Sequence, residues 1–160
     1  MRAEMRLSDA VRLWLPLFAL IGGVLAADQL SKAWIVGRLA LGETRQPIPA
    51  LAPYFQITYS ANTGAAFGLL PGVGDIIMLI AVAVVLGMLY FYPRIPAQPP
   101  WTRLAIGLIC GGALGNVLDR LQYGYVVDFI HYQIPGVVSN VSNLADHAIV
   151  LGVIVVIIEN

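Results

Sequence analysis

The sequence predicts an integral membrane protein of the all-α class, in which four transmembrane helices carry a small β-like platform on the extracytoplasmic side. Composition and hydrophobic patterning lead to this prediction. Hydrophobic residues make up 59% of the 160 residues and charged residues only 11%, whereas soluble domains carry about 25% charged residues. The apolar residues form four stretches that we consider as membrane spans, since about 20 apolar residues cross a bilayer. At this length, residues 1–160 form a single polytopic membrane domain.

The four predicted spans are residues 11–35, 76–92, 104–118 and 144–158. The second is the cleanest, because it starts after Gly74-Asp75 and stops at Pro93. The third and fourth are short and bordered by polar residues, so their outer ends are expected near the interface. Three arginines within the first twelve residues favour a cytoplasmic N terminus by the positive-inside rule. With four spans, both termini are cytoplasmic, and loops 36–75 and 119–143 lie outside.

The first stretch has an alternative interpretation as a cleaved secretory signal peptide, because arginines precede an apolar core that ends in VLAAD. We favour a retained helix, since Asp28, Gln29 and Lys32 keep helical spacing and lead into further apolar residues. Asp28 and Lys32, four residues apart, are expected to form a structural ion pair.

The third span ends in a polar cluster that follows a glycine repeat. Glycine recurs every four residues at positions 107, 111 and 115, a pattern that lets a neighbouring helix approach closely. Asn116, Asp119 and Arg120 then lie on one helical face, and the charge of Arg120 favours ionised Asp119. Asn143 and Asp146 have the same three-residue spacing at the start of the fourth span.

Two further carboxylates are candidates for acid–base chemistry. Asp128 in GYVVDFI and Asp146 in SNLADHA have mainly apolar neighbours and no adjacent lysine or arginine. Two such groups brought close together cannot both ionise easily and can share one proton. One member can then act as a base on water while the other donates a proton. On spacing alone, two helix caps explain these residues equally well.

The first outer loop contains ITYSANTGAAFG. Residues 55–59 alternate in a β-like way and are expected to form an edge or hairpin on the interface. The Asn62-Thr63-Gly64 turn can hold an extended peptide backbone, although an ordinary turn is the alternative interpretation.

Other kinds of site lack support in the sequence. The net charge is zero, which gives no indication of a nucleic-acid partner. The single cysteine, Cys110, excludes an internal disulfide framework, and His131 and His147 lack the spacing of a metal site. No phosphate-binding loop, GxSxG or HExxH motif occurs.

Five motifs occur in order along the chain: DQLSK (28–32), TYSANTGAAFG (58–68), GGALGNVLDR (111–120), GYVVDFI (124–130) and NLAD (143–146). As a set they closely resemble bacterial lipoprotein signal peptidase, also called signal peptidase II. The resemblance implies an aspartyl endopeptidase of the bacterial inner membrane, a hydrolase whose active site faces the periplasm. It removes signal peptides from diacylglyceryl-modified prolipoproteins by cutting just before the lipidated cysteine. It implies no metal or organic cofactor, contact with membrane lipids, no nucleic acid, and a monomer.

The resemblance also implies roles for residues that match the motifs. The catalytic pair falls on Asp128 and Asp146. The substrate-binding residues are Asn62, Gly64, Asn116, Arg120 and Asn143. Asp28, Lys32 and Asp119 are supporting residues. The segment PGVVSNVSN departs from the aromatic- and proline-containing pattern usual before NxAD, so the shape of residues 131–142 is left open.

Two alternatives come from other functional classes. A small proton-coupled membrane transporter would use its carboxylates near the midplane of the bilayer. A non-catalytic membrane scaffold would use the same residues only as helix caps, and it would tolerate Asp128→Asn.

Overall fold

The structure, a computed structural model, describes residues 7–64, 73–96 and 100–159. Part of the predicted outer loop, with the last four residues of TYSANTGAAFG, lies outside the described residues, as do Arg2, Arg6 and part of the link between the second and third spans. The main elements in chain order are α1 (Leu7–Val36), β1 (Thr44–Arg45), β2 (Phe55–Asn62), α2 (Val73–Phe91), α3 (Trp101–Tyr123), β3 (Val126–Ile134), β4 (Val138–Ser142) and α4 (Leu144–Glu159).

Three of these helical segments are long and apolar enough to cross a membrane: α1, α3, and Gly74–Arg94, which contains nearly all of α2. The prediction of a membrane protein with an attached sheet is therefore confirmed. The fourth helix, α4, has 16 residues. At 1.5 Å per residue it measures roughly 24 Å, somewhat less than the ~30 Å hydrocarbon core of a bilayer.

The central helix is α3, which packs against α1, α2 and α4. The predicted close approach along its glycine face is confirmed. A Cβ placed on Gly111 would lie 2.7 Å from the Val24 side chain of α1, and one on Gly112 would collide with the Ala145 carbonyl of α4. Both neighbouring helices therefore contact the backbone of α3 directly.

The end of α3 lies beyond the predicted limit of residue 118. The helix continues to Tyr123, and Asp119 and Arg120 bond from its last turns to atoms of the helix and of neighbouring elements. It ends at Gly124, whose left-handed backbone (φ 78°) allows its N–H to donate to the Arg120 carbonyl at 3.0 Å. The segment expected to be the outer loop 119–143 is thus the last turn of α3 followed by a β-hairpin.

The four strands form one antiparallel sheet in the order β1-β2-β3-β4. The β-like segment predicted at residues 55–59 is confirmed, and β2 extends it to Asn62. The register of β2 against β3 places Ser60 opposite Asp128 and Asn62 opposite Val126. An apolar cluster joins the sheet to the end of α1; its buried members are Ile35, Leu39, Tyr59, Val127, Phe129 and Ile130. The sheet is thereby held against the end of the helix bundle that carries the polar residues.

Candidate active site

The carboxylates singled out by the sequence come from four different elements. Asp28 lies in the second half of α1, Asp119 near the end of α3, Asp128 in β3 and Asp146 in the first turn of α4. The first three are at most 2% exposed, and Asp146 is half-buried. Burial of ionisable groups is costly unless they are paired and hydrogen-bonded, so their partners define the chemistry of the site.

A single buried cation joins two of these carboxylates. The Nζ atom of Lys32 lies 2.8 Å from Asp28 Oδ2 and 2.8 Å from Asp119 Oδ2. It also donates to Asn116 Oδ1 at 3.1 Å. The predicted Asp28–Lys32 pair is confirmed. The cation paired with Asp119 is Lys32 instead of its sequence neighbour Arg120, because adjacent residues in a helix point to different faces.

The same two carboxylates hold the backbone beside the proposed catalytic pair. Asp28 Oδ1 accepts the N–H of Ala145 at 3.0 Å, and Asp119 Oδ2 accepts the N–H of Val127 at 2.9 Å. Ala145 immediately precedes Asp146, and Val127 immediately precedes Asp128. The ion cluster around Lys32 therefore fixes the position of both β3 and α4 one residue before each acid.

Asn116 has its side-chain orientation fixed by Lys32. An ammonium group only donates hydrogen bonds, so the amide oxygen of Asn116 must face Lys32. The Nδ2 group of Asn116 then points the other way and donates to Asp146 Oδ1 at 2.7 Å. Asn116 thus links the ion cluster to one member of the candidate pair.

Asn143 and Asn62 are oriented in the same way by backbone donors. Asn143 Oδ1 accepts the N–H of Asp146 at 2.9 Å, which leaves its Nδ2 to donate to Asp128 Oδ1 at 2.6 Å. Asn62 Oδ1 accepts the N–H of Gly64 at 2.9 Å, which leaves its Nδ2 to donate to Asp128 Oδ2 at 2.9 Å. Both oxygens of Asp128 therefore receive a neutral amide donor. Asn143 Nδ2 also lies 3.2 Å from Asn116 Oδ1.

Asp128 has a strongly perturbed proton affinity. Burial raises its pKa from 3.8 to about 6, and the negative charge of Asp146 acts in the same direction. The hydrogen bonds from Asn62 and Asn143 and the charge of Lys32 oppose the increase. A carboxyl group with this pKa can hold or release a proton near neutral pH, which is the property an acid–base catalyst requires.

Gly64 and Arg120 meet at the edge of this network. Gly64 has a left-handed backbone (φ 73°), and an added Cβ would lie 3.0 Å from Ile77 Cδ1 and 3.4 Å from Arg120 Nη2. Arg120 donates from Nη1 to the Asn116 carbonyl at 3.3 Å, while its buried Nε has no partner among the described residues. A buried guanidinium donor without an acceptor is available to a substrate carbonyl or carboxylate.

All ten residues named from the sequence belong to one continuous hydrogen-bonded network, which runs from Asp28 and Asp119 through Lys32, Asn116 and Asn143 to the two acids, Asn62, Gly64 and Arg120. Gln29 belongs to it as well, although it was not among them. Its Nε2 donates to Asp119 Oδ1 at 2.8 Å and lies 3.2 Å from Asp28 Oδ2. Its position inside the DQLSK motif is the feature of the sequence that could have identified it as a member of the network.

The histidines and the cysteine lie apart from this network or at its margin. His131 contacts Thr58 and Ser139 on the sheet, and His147 bonds the Asn143 carbonyl through Nδ1. Cys110 is buried, 3.8 Å from the Met88 sulfur. In the described ranges, no group of three or more histidine, cysteine or acidic side chains is arranged to hold a metal ion.

Comparisons with known proteins identify the family and the fold of the chain. Residues 20–160 match the family described as Signal peptidase (SPase) II. The lipoprotein signal peptidase of Desulfitobacterium hafniense is 46% identical over 133 residues, which cover 83% of this chain and 84% of the relative. That of Bacillus subtilis is 39% identical over 136 residues, covering 85% and 86%. A solved bacterial membrane enzyme structure, determined by the in meso method at 1.9 Å resolution, superposes with a TM-score of 0.80 at 33% identity, covering 90% of this chain and 91% of the other.

Proposed function

Because the chain belongs to the signal peptidase II family, we propose that it is a membrane-embedded peptidase that removes the signal peptides of prolipoproteins, with Asp128 and Asp146 as an aspartyl catalytic pair. The observation that carries the catalytic assignment is the convergence of these two acids. They come from a strand and a helix, each is bonded to an oriented amide, and the two amides contact each other.

The proposed reaction uses the pair as base and acid. In the largely buried site, the two carboxyl groups share one proton. The ionised member removes a proton from water, which attacks the scissile carbonyl, and the protonated member then donates its proton to the leaving amine. The proton lost by water restores the shared state, so the pair returns to its starting protonation without a cofactor.

The substrate backbone is held at the edge of the network. Asn62 caps the turn at Asn62–Gly64, and this turn lies against Arg120. Arg120 Nε and its neighbouring nitrogens can bind carbonyls of an extended peptide. Asn116 and Asn143 hold Asp146 and Asp128 in position beside the bound peptide. We place the cut just before the diacylglyceryl-modified cysteine, whose acyl chains remain in the bilayer and contribute binding energy.

The proposed membrane arrangement follows from the helix order. All four helices span, both termini are cytoplasmic, and the sheet with its catalytic pair lies on the periplasmic side of the inner membrane. The short α4 is accommodated by local thinning of the bilayer. A monomer is sufficient, since all ten site residues come from one chain.

The position of the acids argues against a transporter. Asp28 lies 22 residues into the 30-residue α1, Asp119 is four residues from the end of α3, and Asp146 is in the first turn of α4. All these positions are at one end of the bundle, whereas transport sites lie near the midplane.

The test is cleavage of a purified diacylglyceryl-modified prolipoprotein by Asp128→Asn and Asp146→Asn. Asparagine is nearly isosteric but provides neither a carboxylate base nor a carboxylic acid, so we expect each variant to fold and to lose cleavage. The matched control is Asp75→Asn, which neutralises an exposed carboxylate in the first turn of α2 and should cleave normally. Substantial cleavage by either site variant would remove that residue from the catalytic pair. Equal rates on lipid-modified and unmodified precursor would contradict the proposed substrate.

A further inference from the structure

A second polar site lies at the opposite end of the helix bundle. A cavity of about 440 Å³ opens between the first half of α1 and the start of α3 and is lined by Arg12 and Arg103. Sixteen residues separate Arg12 from Asp28 in α1 and Arg103 from Asp119 in α3, which corresponds to about 24 Å along each helix. We refer to it as the two-arginine cavity. It has no part in the catalytic network.

The walls of the two-arginine cavity are apolar below the arginines. Four leucines face it, three from α1 and one from α3: Leu13, Leu17, Leu20 and Leu104. Its volume is in the range of sites that hold small organic ligands. A cationic rim above an apolar wall matches a molecule with an anionic head and a hydrocarbon chain.

Both arginines have donors that the described residues leave free. Arg103 donates from Nη2 to the Ile95 carbonyl at 2.9 Å, and its guanidinium lies 5.4 Å from the Tyr92 ring centre. Its buried Nε has no acceptor in the described part of the chain. Arg12 makes neither an ion pair nor a hydrogen bond with any described residue. Two cations without a carboxylate partner therefore face one space.

The acidic residues of this end, within the described ranges, do not neutralise the cavity. Glu159 accepts a hydrogen bond from Thr102 at 2.6 Å and lines a different depression beside Trp101. Asp9 is exposed one turn before Arg12 and does not line the cavity.

An exposed tryptophan places the two-arginine cavity at the level of lipid headgroups. Trp101 follows Pro100, which lines the cavity, and is 56% exposed. Tryptophan and tyrosine are enriched at the membrane–water interface. Basic pockets between transmembrane helices on the cytoplasmic side bind anionic lipid headgroups.

From the volume of the two-arginine cavity, the charge of its arginines and its level in the membrane, we propose that it binds one anionic phospholipid. The phosphate lies between Arg12 and Arg103, and an acyl chain runs along the leucine wall. A zwitterionic lipid offers the same phosphate, but its own cation opposes the two arginines. The site therefore discriminates by headgroup charge.

The experiment measures lipid binding to the full-length protein in detergent by native mass spectrometry. Phosphatidylglycerol and phosphatidylcholine with identical acyl chains are titrated against the wild type, Arg12→Gln, Arg103→Gln and Arg94→Gln. We expect the wild type to prefer phosphatidylglycerol by about tenfold or more. Each cavity variant should lose about tenfold in affinity for phosphatidylglycerol only, which corresponds to one charge-assisted hydrogen bond.

Arg94→Gln is the matched control. Arg94 is at the same end of the bundle, but its guanidinium lies 4.4 Å from the Tyr90 ring centre and does not line the cavity. Its removal should leave the preference unchanged. Because Arg103 also bonds Ile95, the decisive variant is Arg12→Gln, which breaks no bond to any described residue.

Three results would overturn the proposal. In the first, the wild type binds both lipids equally. In the second, Arg12→Gln keeps the full preference for phosphatidylglycerol. In the third, Arg94→Gln loses as much affinity for phosphatidylglycerol as the cavity variants. A competition arm separates lipid from free phosphate. If inorganic phosphate displaced phosphatidylglycerol at equal concentration, the leucine wall would contribute nothing, and the site would bind phosphate alone.

Discussion

Replacement of Lys32 should lower both the stability of the protein and its cleavage rate. It is the only lysine of the chain and is 1% exposed. Its ammonium forms ion pairs with Asp28 and Asp119, both fully buried. Methionine has a similar length and fits an apolar site, so Lys32→Met removes the charge without leaving a large cavity.

The expected loss is large because two carboxylates are left close together without a cation. Removing one partner of a buried ion pair costs about 3–5 kcal/mol in unfolding free energy. Protonation of one acid would limit the loss, but it would weaken the bond from Asp28 to Ala145 or from Asp119 to Val127. Either change moves one of the two candidate acids, so cleavage should fall at least about 100-fold, equivalent to about 2.7 kcal/mol of activation free energy.

The assay pairs thermal unfolding in detergent with prolipoprotein cleavage. Arg38→Met is the control, since it removes an exposed cation near the same end of α1. A triple variant, Lys32→Met with Asp28→Asn and Asp119→Asn, contains no buried charge in the cluster and keeps an oxygen acceptor at both acidic positions. We expect it to recover most of the stability but not the rate, because Asn116 has lost the donor that orients it. Wild-type stability and rate in Lys32→Met would refute the view that this cation holds β3 and α4 in place.

Three further outcomes follow from the same geometry. Arg120→Lys keeps the charge but loses the planar group of donors, so cleavage should fall about 10- to 100-fold, while Arg94→Lys on the other side stays near normal. Gly112→Ala forces a Cβ into the backbone of α4 and should cost about 1–3 kcal/mol of unfolding free energy, whereas Gly87→Ala, with open space around it, should be neutral or stabilising. The pKa of Asp128 is raised from 3.8 to about 6. Between these pH values the folded protein therefore holds a proton on Asp128 that the unfolded chain has released. Its contribution to stability falls by about 3 kcal/mol as the pH rises from about 4 to above 6. This loss should be absent from the pH–stability profile of Asp128→Asn; an unchanged profile would assign the dependence to another group.

The sequence was sufficient to predict those contacts that depend on the spacing of residues along a helix. The four-residue spacing of Asp28 and Lys32 predicts their pair, and the glycine repeat predicts the close helix approach; both are found. Asp128 and Asp146 were separable from the other acids by their lack of adjacent cations. In the structure, it is Asp28 and Asp119 that contact the buried ammonium, while the candidate pair is bonded to amides.

Contacts between distant segments could not be read from the sequence. Asp119 meets Lys32 across 87 positions, and that contact depends on how α1 crosses α3. The β3–β4 hairpin was also missed, because a short apolar run such as VVDFI is typical of a buried strand and of a buried helix segment alike. Its flanking segment departs from the family pattern, so the resemblance gave no shape for residues 131–142, which form the end of β3, the turn and all of β4.

The choice of partners around the two catalytic candidates explains how the site can be both rigid and able to exchange a proton. A cation bonded directly to Asp128 would lower its pKa by about 1–3 units and keep it ionised. Neutral amides from Asn62 and Asn143 instead fix the position of the carboxyl group while leaving its net charge undetermined. Lys32 acts one residue further away, through Asn116, where it fixes the direction of an amide without pairing with Asp146. Preorganised dipoles of this kind stabilise developing charge without reorganising during the reaction. Lys32 therefore stabilises the fold and orients Asn116, while the neutral amides around the two acids leave Asp128 able to hold or release a proton.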